Sequence, residues 1–85
     1  MRFSIEIKRS AYKELERIAR PRRRPLVDAI DRLSENPFLG RVLKGELQGL
    51  RRLRVGNYRV LYEVREDTLV VLVVRIAHRQ GAYRR

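Results

Sequence analysis

Near the start of the chain the apolar residues first recur at every second position and then at helical spacing. Phe3, Ile5 and Ile7 alternate with polar residues, which predicts a half-buried β-strand. Apolar positions at helical spacing follow and predict a helix with Ser10 as its N-cap, ending near Arg20. The helix should end there because the next residue is a proline, which lacks the backbone N–H that continues a helix.

A second helix and a loop occupy the middle of the chain. The helix is predicted to begin between Pro21 and Pro25, since proline is tolerated in a first helical turn, and to end at Asn36-Pro37. Residues Phe38–Gln48 combine two glycines with mixed charge and are interpreted as a loop.

Three strands are predicted next, at Leu50–Val55, Tyr58–Arg65 and Thr68–Ile76. The first two should form a hairpin through Gly56-Asn57, with glycine at a position of positive φ, and Glu66-Asp67 should close the next hairpin. The last strand is apolar on both faces, which is typical of a strand inside a sheet.

The order β-α-α-β-β-β predicts an α+β fold. Two N-terminal helices should pack on one face of a mainly antiparallel four-stranded sheet. The 85 residues allow one domain, 1–85, with a small core.

Charge and composition restrict the class of function. The chain has 21 Lys+Arg against 10 Asp+Glu, a formal net charge of +11, and 18 of the 21 are arginine, whose planar fork binds phosphate through two hydrogen bonds. Zero cysteines exclude disulfides, and a single histidine argues against a zinc site, so we expect no metal or cofactor. The longest apolar run, Leu69–Val74, is far too short to span a bilayer, and the N-terminus has no signal-peptide pattern. We therefore expect a cytoplasmic protein with polyanionic partners and no membrane contact.

Three arginines of the first predicted hairpin should share one face. A two-residue turn places Arg54 directly opposite Arg59, and Arg52 lies two residues back on the same face. Opposed like charges destabilise a hairpin, whereas an anion held between them would explain the choice. The competing interpretation is a solvated face, with Glu63 neutralising one arginine.

The end of the chain adds a second group of polar side chains, His78, Arg79 and Tyr83. Together these offer a proton shuttle, a phosphate clamp and a surface on which a base can stack. Strict alternation from Thr68 puts His78 on the Arg59 face, but a bulge in the strand would redirect it. A structural role for His78 is an equal alternative.

The chain resembles the RelE/ParE superfamily of type II toxin–antitoxin toxins. The residues that carry the resemblance are Leu50 to Glu63, with the Gly56-Asn57-Tyr58-Arg59 turn, then Val73 to Arg79, and Tyr83. RelE-type members cut mRNA in the ribosomal A site, whereas ParE-type members poison DNA gyrase and lack the RNA-cleaving residues. This chain has basic residues at the positions that RelE-type members use to cut RNA, so the resemblance favours a RelE-type function over a ParE-type one.

The resemblance implies a metal-independent endoribonuclease in which the ribose 2′-OH attacks the adjacent phosphate and leaves a cyclic phosphate. For this reaction we expect Arg59 and Arg79 to stabilise the phosphorane, Tyr83 to stack on or orient the base, and His78 to be a candidate acid or base, with a structural role as its equal alternative. RNA binding is expected of Arg51, Arg52 and Arg54. It also implies a cognate antitoxin, the ribosome and mRNA as partners, with operator DNA bound only through the toxin–antitoxin complex. Two departures are Leu50, where some relatives carry lysine, and the lack of a clear glutamate base, since Glu46 has a different context.

Two other functions stay open. A ParE-type gyrase inhibitor would be a binding poison rather than an enzyme, and it leaves Arg54, Arg59, Arg79 and Tyr83 unexplained. A plain basic nucleic-acid-binding module explains the charge but not the concentration of arginines on one hairpin.

Overall fold

The computed structural model describes residues 2–78, whose strands form one five-stranded sheet with the order β1-β5-β4-β3-β2. In chain order the elements are β1 (Ser4–Ile7), α1 (Arg9–Glu16), α2 (Arg20–Arg32), β2 (Arg41–Val42), a 3-10 turn (Gly45–Leu47), β3 (Arg51–Val55), β4 (Tyr58–Arg65) and β5 (Val70–His78). β1 pairs with β5 in parallel, while β4–β5, β3–β4 and β2–β3 are antiparallel. The predicted α+β class is confirmed, but the predicted count of four strands is wrong by one.

The hydrophobic core lies between the two helices and one face of the sheet. β5 sits between β1 and β4, which confirms its prediction as an interior strand. The buried residues of the core are Ala11, Leu15, Ile18, Leu26, Ile30, Leu33, Val60, Tyr62, Val71, Val73 and Ile76. Tyr58 and Val64 pack against this core, so β4 turns the face that carries Tyr58, Val60, Tyr62 and Val64 towards the helices.

The first helix differs from its prediction at both ends. Lys8 is the N-cap, without a side-chain capping bond, so the predicted cap at Ser10 is wrong. α1 ends at Glu16 rather than near Arg20, and the Arg23 guanidinium binds carbonyl oxygens at this end and just beyond it. Its Nη2 donates to Ile18 O at 2.9 Å and to Glu16 O at 3.1 Å. A cation at the negative end of a helix is a favourable arrangement.

The extra strand, β2, lies inside the segment predicted to be a loop. Tyr62 holds that segment to the sheet, because its hydroxyl accepts from Gly40 N at 2.8 Å and donates to Pro37 O at 2.7 Å. A Cβ at Gly40 would lie 2.6 Å from the Tyr62 hydroxyl, so the close approach requires glycine. Only two residues of β2 pair with β3, too few for a periodic signal.

The second hairpin also has a longer turn than predicted. Residues 66–69 form the turn, with Leu69 at φ 55°, and β5 begins at Val70 rather than Thr68. The first hairpin is as predicted, with Gly56 at φ 59° and Val55 opposite Tyr58.

Candidate nucleic-acid interface

Two pairs of directly opposed arginines lie on the face of the sheet away from the core. Arg54 pairs with Arg59 across β3 and β4, as the turn predicts, and Arg52 pairs with Arg41 across β3 and β2. Opposed residues share a face with Cβ atoms about 4.5–5.5 Å apart. We call the surface formed by these four residues the arginine face.

The arginine face continues across the central strands. Arg52 is opposite Leu61, and Leu61 is opposite Arg75, so one row across the sheet runs from Arg41 through Arg52 and Leu61 to Arg75. Leu61 is 2% exposed although it lies outside the core cluster. The neighbouring row holds Arg54, Arg59 and Ala77. Two neighbouring rows of this face of the sheet therefore carry arginines, with Leu61 and Ala77 between or beside them.

Arg41 is the member of this surface that the sequence interpretation missed. Its position depends on β2, and the sole local signal for that strand is β-branched Val42 between Arg41 and Leu43. Arg41 is exposed, and its register opposite Arg52 extends the positive surface to the edge of the sheet.

Arg51 lies on the opposite face from Arg52 and Arg54. Its Nη1 donates to Gly40 O at 2.8 Å, and its guanidinium carbon lies 4.9 Å from the centre of the Phe38 ring. The guanidinium thus binds the segment that leads into β2. This placement separates Arg51 from the arginine face, and its contact with RNA stays a prediction.

A bulge decides the orientation of His78. Leu61 pairs with Arg75 whereas Tyr62 pairs with Val73, so Val74 is an extra residue in β5 and reverses the alternation beyond it. His78 consequently pairs with Tyr58 on the helix-facing side, with ring centroids 5.5 Å apart and planes at 84°. Strict alternation would have put it on the arginine face. Arg79 and Tyr83 lie outside the described residues.

Glu63 was a candidate to neutralise one of the arginines in the Arg52, Arg54 and Arg59 group. Its Oε1 accepts from Arg65 Nε at 2.6 Å, so this carboxylate forms an ion pair on its own strand. Both side chains are about half exposed, and ion pairs open to solvent contribute little to stability.

The arrangement suits binding of a polyanion. Fixed guanidinium groups can bind successive phosphates and stabilise negative charge that develops on one of them. Within residues 2–78 no group of three or more His, Asp and Glu side chains could hold a metal ion. The helices in this part of the chain are also too short or too polar to cross a membrane.

Comparison with known proteins identifies relatives along almost the whole chain. A family model described as the ParE toxin of the type II toxin–antitoxin system parDE matches residues 5–83. The toxin RelE of Mycobacterium tuberculosis is 31% identical over 84 residues, which cover 96% of this chain and 87% of that protein.

Solved structures share the fold over a similar extent. The toxin–antitoxin complex RelBE2 of Mycobacterium tuberculosis contains a chain with a TM-score of 0.85 and 27% identity, covering 93% of this chain and 100% of that one. The archaeal RelE–RelB complex of Pyrococcus horikoshii gives a TM-score of 0.79 and 27% identity, covering 96% and 100%.

Proposed function

Because the chain belongs to the ParE toxin family of type II toxin–antitoxin systems, within the RelE/ParE superfamily, we propose that it is a ribosome-dependent endoribonuclease that cuts mRNA in the A site. The observation that carries this proposal is the arginine face, in particular Arg54 directly opposite Arg59. Folding alone disfavours that pair, and a phosphate between the two guanidinium groups removes the repulsion.

The proposed reaction is attack by a ribose 2′-OH on the adjacent phosphate. The oxygen–phosphorus bond to the next nucleotide breaks, leaving a 2′,3′-cyclic phosphate and a 5′-OH. Arg59 and Arg79 stabilise the negative charge of the phosphorane, while Arg52 and Arg54 hold the RNA backbone. Arg41 extends this backbone contact because it shares the row of Arg52.

The residues proposed to orient the nucleotide and to transfer protons lie near the end of the sequence. Tyr83 orients the base of the nucleotide by stacking. His78 is a candidate acid or base as a histidine, but in the described structure it faces Tyr58 rather than Arg59. A rotation or a substrate-induced shift of the strand end would have to bring it to the reaction. The ribosome aligns the 2′-OH with the phosphate, so positioning does not have to come from this chain alone.

The proposed partner is a cognate antitoxin with acidic and apolar groups. Two solved relatives are complexes with antitoxins, RelBE2 and RelE–RelB. The net charge of +11 would attract an acidic segment, which would cover the arginine face and restrain the toxin. Operator DNA is then contacted only through the complex, and the site of action is the cytoplasm, where ribosomes translate.

The test is a toeprint of ribosomes stalled with a defined codon in the A site, beside the same RNA without ribosomes. Wild-type protein should cut only the ribosome-bound message, and Arg79→Ala should reduce the rate about 10²–10³-fold, the usual cost of removing one charge-stabilising group. Arg84→Ala removes the same charge five residues later and serves as the control. Cleavage of naked RNA would instead indicate a free nuclease, and gyrase-linked DNA breaks with intact mRNA would indicate a ParE-type poison.

A further inference from the structure

Glu14 of α1 completes the edge of β5 where its neighbouring strand has ended. The pairing of β1 with β5 stops at Ile7 opposite Val73, and Lys8 N donates to Val73 O at 2.8 Å as the chain turns into α1. Beyond that point β1 no longer supplies acceptors for β5. The Oε1 of Glu14 accepts from Ile76 N at 2.9 Å and so takes the place of the missing strand.

The second oxygen of the same carboxylate faces an arginine of β5. Glu14 Oε2 lies 3.6 Å from Arg75 Nε, and both side chains are about one-third exposed, at 28% and 36%. Arg75 follows directly after the bulge residue, Val74. One carboxylate therefore contacts both the backbone N–H of Ile76 and the side chain of Arg75, immediately beyond the bulge in β5.

The location of this contact connects it with the proposed catalytic surface. Ile76 is followed by Ala77, which is opposite Arg59, and by His78, and the chain then leads to Arg79. We propose that Glu14 is a positioning residue: by bonding Ile76 N it fixes the end of β5, where Ala77 is opposite Arg59, and so orders the strand end that precedes Arg79 in the sequence. This inference rests on the proposed function for its kinetic consequence but not for its structural one.

Three variants separate the two contacts of Glu14. Glu14→Ala removes both, whereas Glu14→Gln keeps an amide oxygen for Ile76 N and loses the charge facing Arg75. Glu16→Ala removes the same charge from an exposed position of the same helix and is the matched control.

Amide hydrogen exchange tests the structural part without requiring activity. Exchange at Ile76, taken relative to Val60 opposite it to remove global effects, should be at least about tenfold faster in Glu14→Ala, since a lost acceptor opens the strand end locally. Glu14→Gln and Glu16→Ala should match wild type. Unchanged protection of Ile76 in Glu14→Ala would overturn the proposal, as would equal loss of protection in Glu14→Gln.

Single-turnover cleavage on the ribosome tests the consequence for catalysis. Glu14→Ala should lower the rate at saturating toxin by about tenfold or more, because a small displacement of reacting groups is costly, while half-saturation changes little. Glu14→Gln should restore most of the rate. If wild type cuts mRNA and Glu14→Ala cuts it equally fast, the positioning role is wrong. If wild type does not cut, the proposed function fails, and hydrogen exchange still decides whether Glu14 orders the strand end.

Discussion

At the scale of single residues, the facing pair Arg54–Arg59 places two like charges directly opposite each other, and the proposed function gives it an anion to bind. Arg54→Ala should leave the melting temperature unchanged or raise it slightly, since opposed like charges cost a few tenths to about 1 kcal/mol. The same variant should bind RNA more weakly, with a smaller salt dependence, because one phosphate contact is lost. Thermal denaturation and RNA titration at several salt concentrations check this. Arg54→Lys keeps the charge and should melt like wild type, whereas a large loss of stability in Arg54→Ala would show a structural role.

The residues of the candidate site differ in how far the sequence could place them. The pairing of Arg54 with Arg59 follows from the Gly56-Asn57 turn, because a two-residue loop determines the register of a hairpin. His78 could not be placed, because one extra residue at Val74 reverses every side chain beyond it. Val74 follows a run of valines and leucines, so the sequence does not distinguish a bulge residue from an ordinary residue of an apolar strand.

At the scale of elements, α1 and α2 are joined through a side chain rather than a long interface. Arg23→Ala should lower the free energy of unfolding by about 1 kcal/mol, since the carbonyl groups of Glu16 and Ile18 lose a charged donor. The neighbouring Arg24→Ala is the control. It removes a positive charge from the fifth residue of α2, near the N-terminal end where the helix dipole disfavours cations, so stability should be unchanged or rise by a few tenths of a kcal/mol. Urea denaturation of both variants measures the difference, and equal effects would contradict the capping role.

The Tyr62 hydroxyl is one of the groups that hold the segment leading into β2. Tyr62→Phe should cost about 1–3 kcal/mol, because Gly40 N and Pro37 O lose their buried partner. Arg41 should become less ordered as a result, which faster amide exchange in residues 40–43 would reveal. A variant as stable as wild type would show that β2 is held by other contacts.

The same tyrosine predicts a dependence on pH. Burial raises the pKa of Tyr62 above its usual 10.0, although the hydrogen bond with Gly40 and the charge of Arg51 oppose the shift. The folded state then holds a proton that the unfolded state releases, so wild type loses this contribution to stability as the pH rises above 10.0 toward the folded pKa. The stability difference between wild type and Tyr62→Phe should therefore shrink over that range, as denaturation at a series of pH values would measure. A constant difference would indicate that Tyr62 ionises equally in both states.

Secondary-structure elements could be predicted where the apolar residues repeat regularly along the chain. The prediction was wrong for elements at which a tertiary contact is made, namely β2 and the end of α1. The two helices and β4 have regularly spaced apolar residues in the sequence, and in the structure these residues pack in the same core. β2 has only two paired residues, and the segment leading into it is held by contacts from Arg51 and Tyr62, which are distant in the chain. α1 likewise ends at Glu16, four residues before the predicted end, where Arg23 from α2 binds Glu16 O and Ile18 O.

At the scale of the whole molecule, the net charge of +11 makes the folded chain repel itself. The melting temperature of the free protein should rise when ionic strength increases from about 0.01 M to about 0.15 M, because screening shortens the range of that repulsion from about 30 Å to about 8 Å. A complex with an acidic antitoxin should show a smaller rise, since the partner neutralises part of the charge. Scanning calorimetry of both samples is the measurement, and a melting temperature independent of salt in the free chain would contradict the expectation.

The parallel pair of β1 and β5 has a consequence for how the protein is made. The residues of β1 are among the first to leave the ribosome, but the strand pairs with β5. The sheet is therefore incomplete until residues 70–78 have been synthesised. The β3–β4 hairpin can form earlier, but without β5 nothing holds Arg59 against Ala77 or leads the chain to Arg79. A nascent chain therefore lacks the end of β5 beside Arg59, so we expect that an enzyme of the proposed kind does not act on the ribosome that is still translating it.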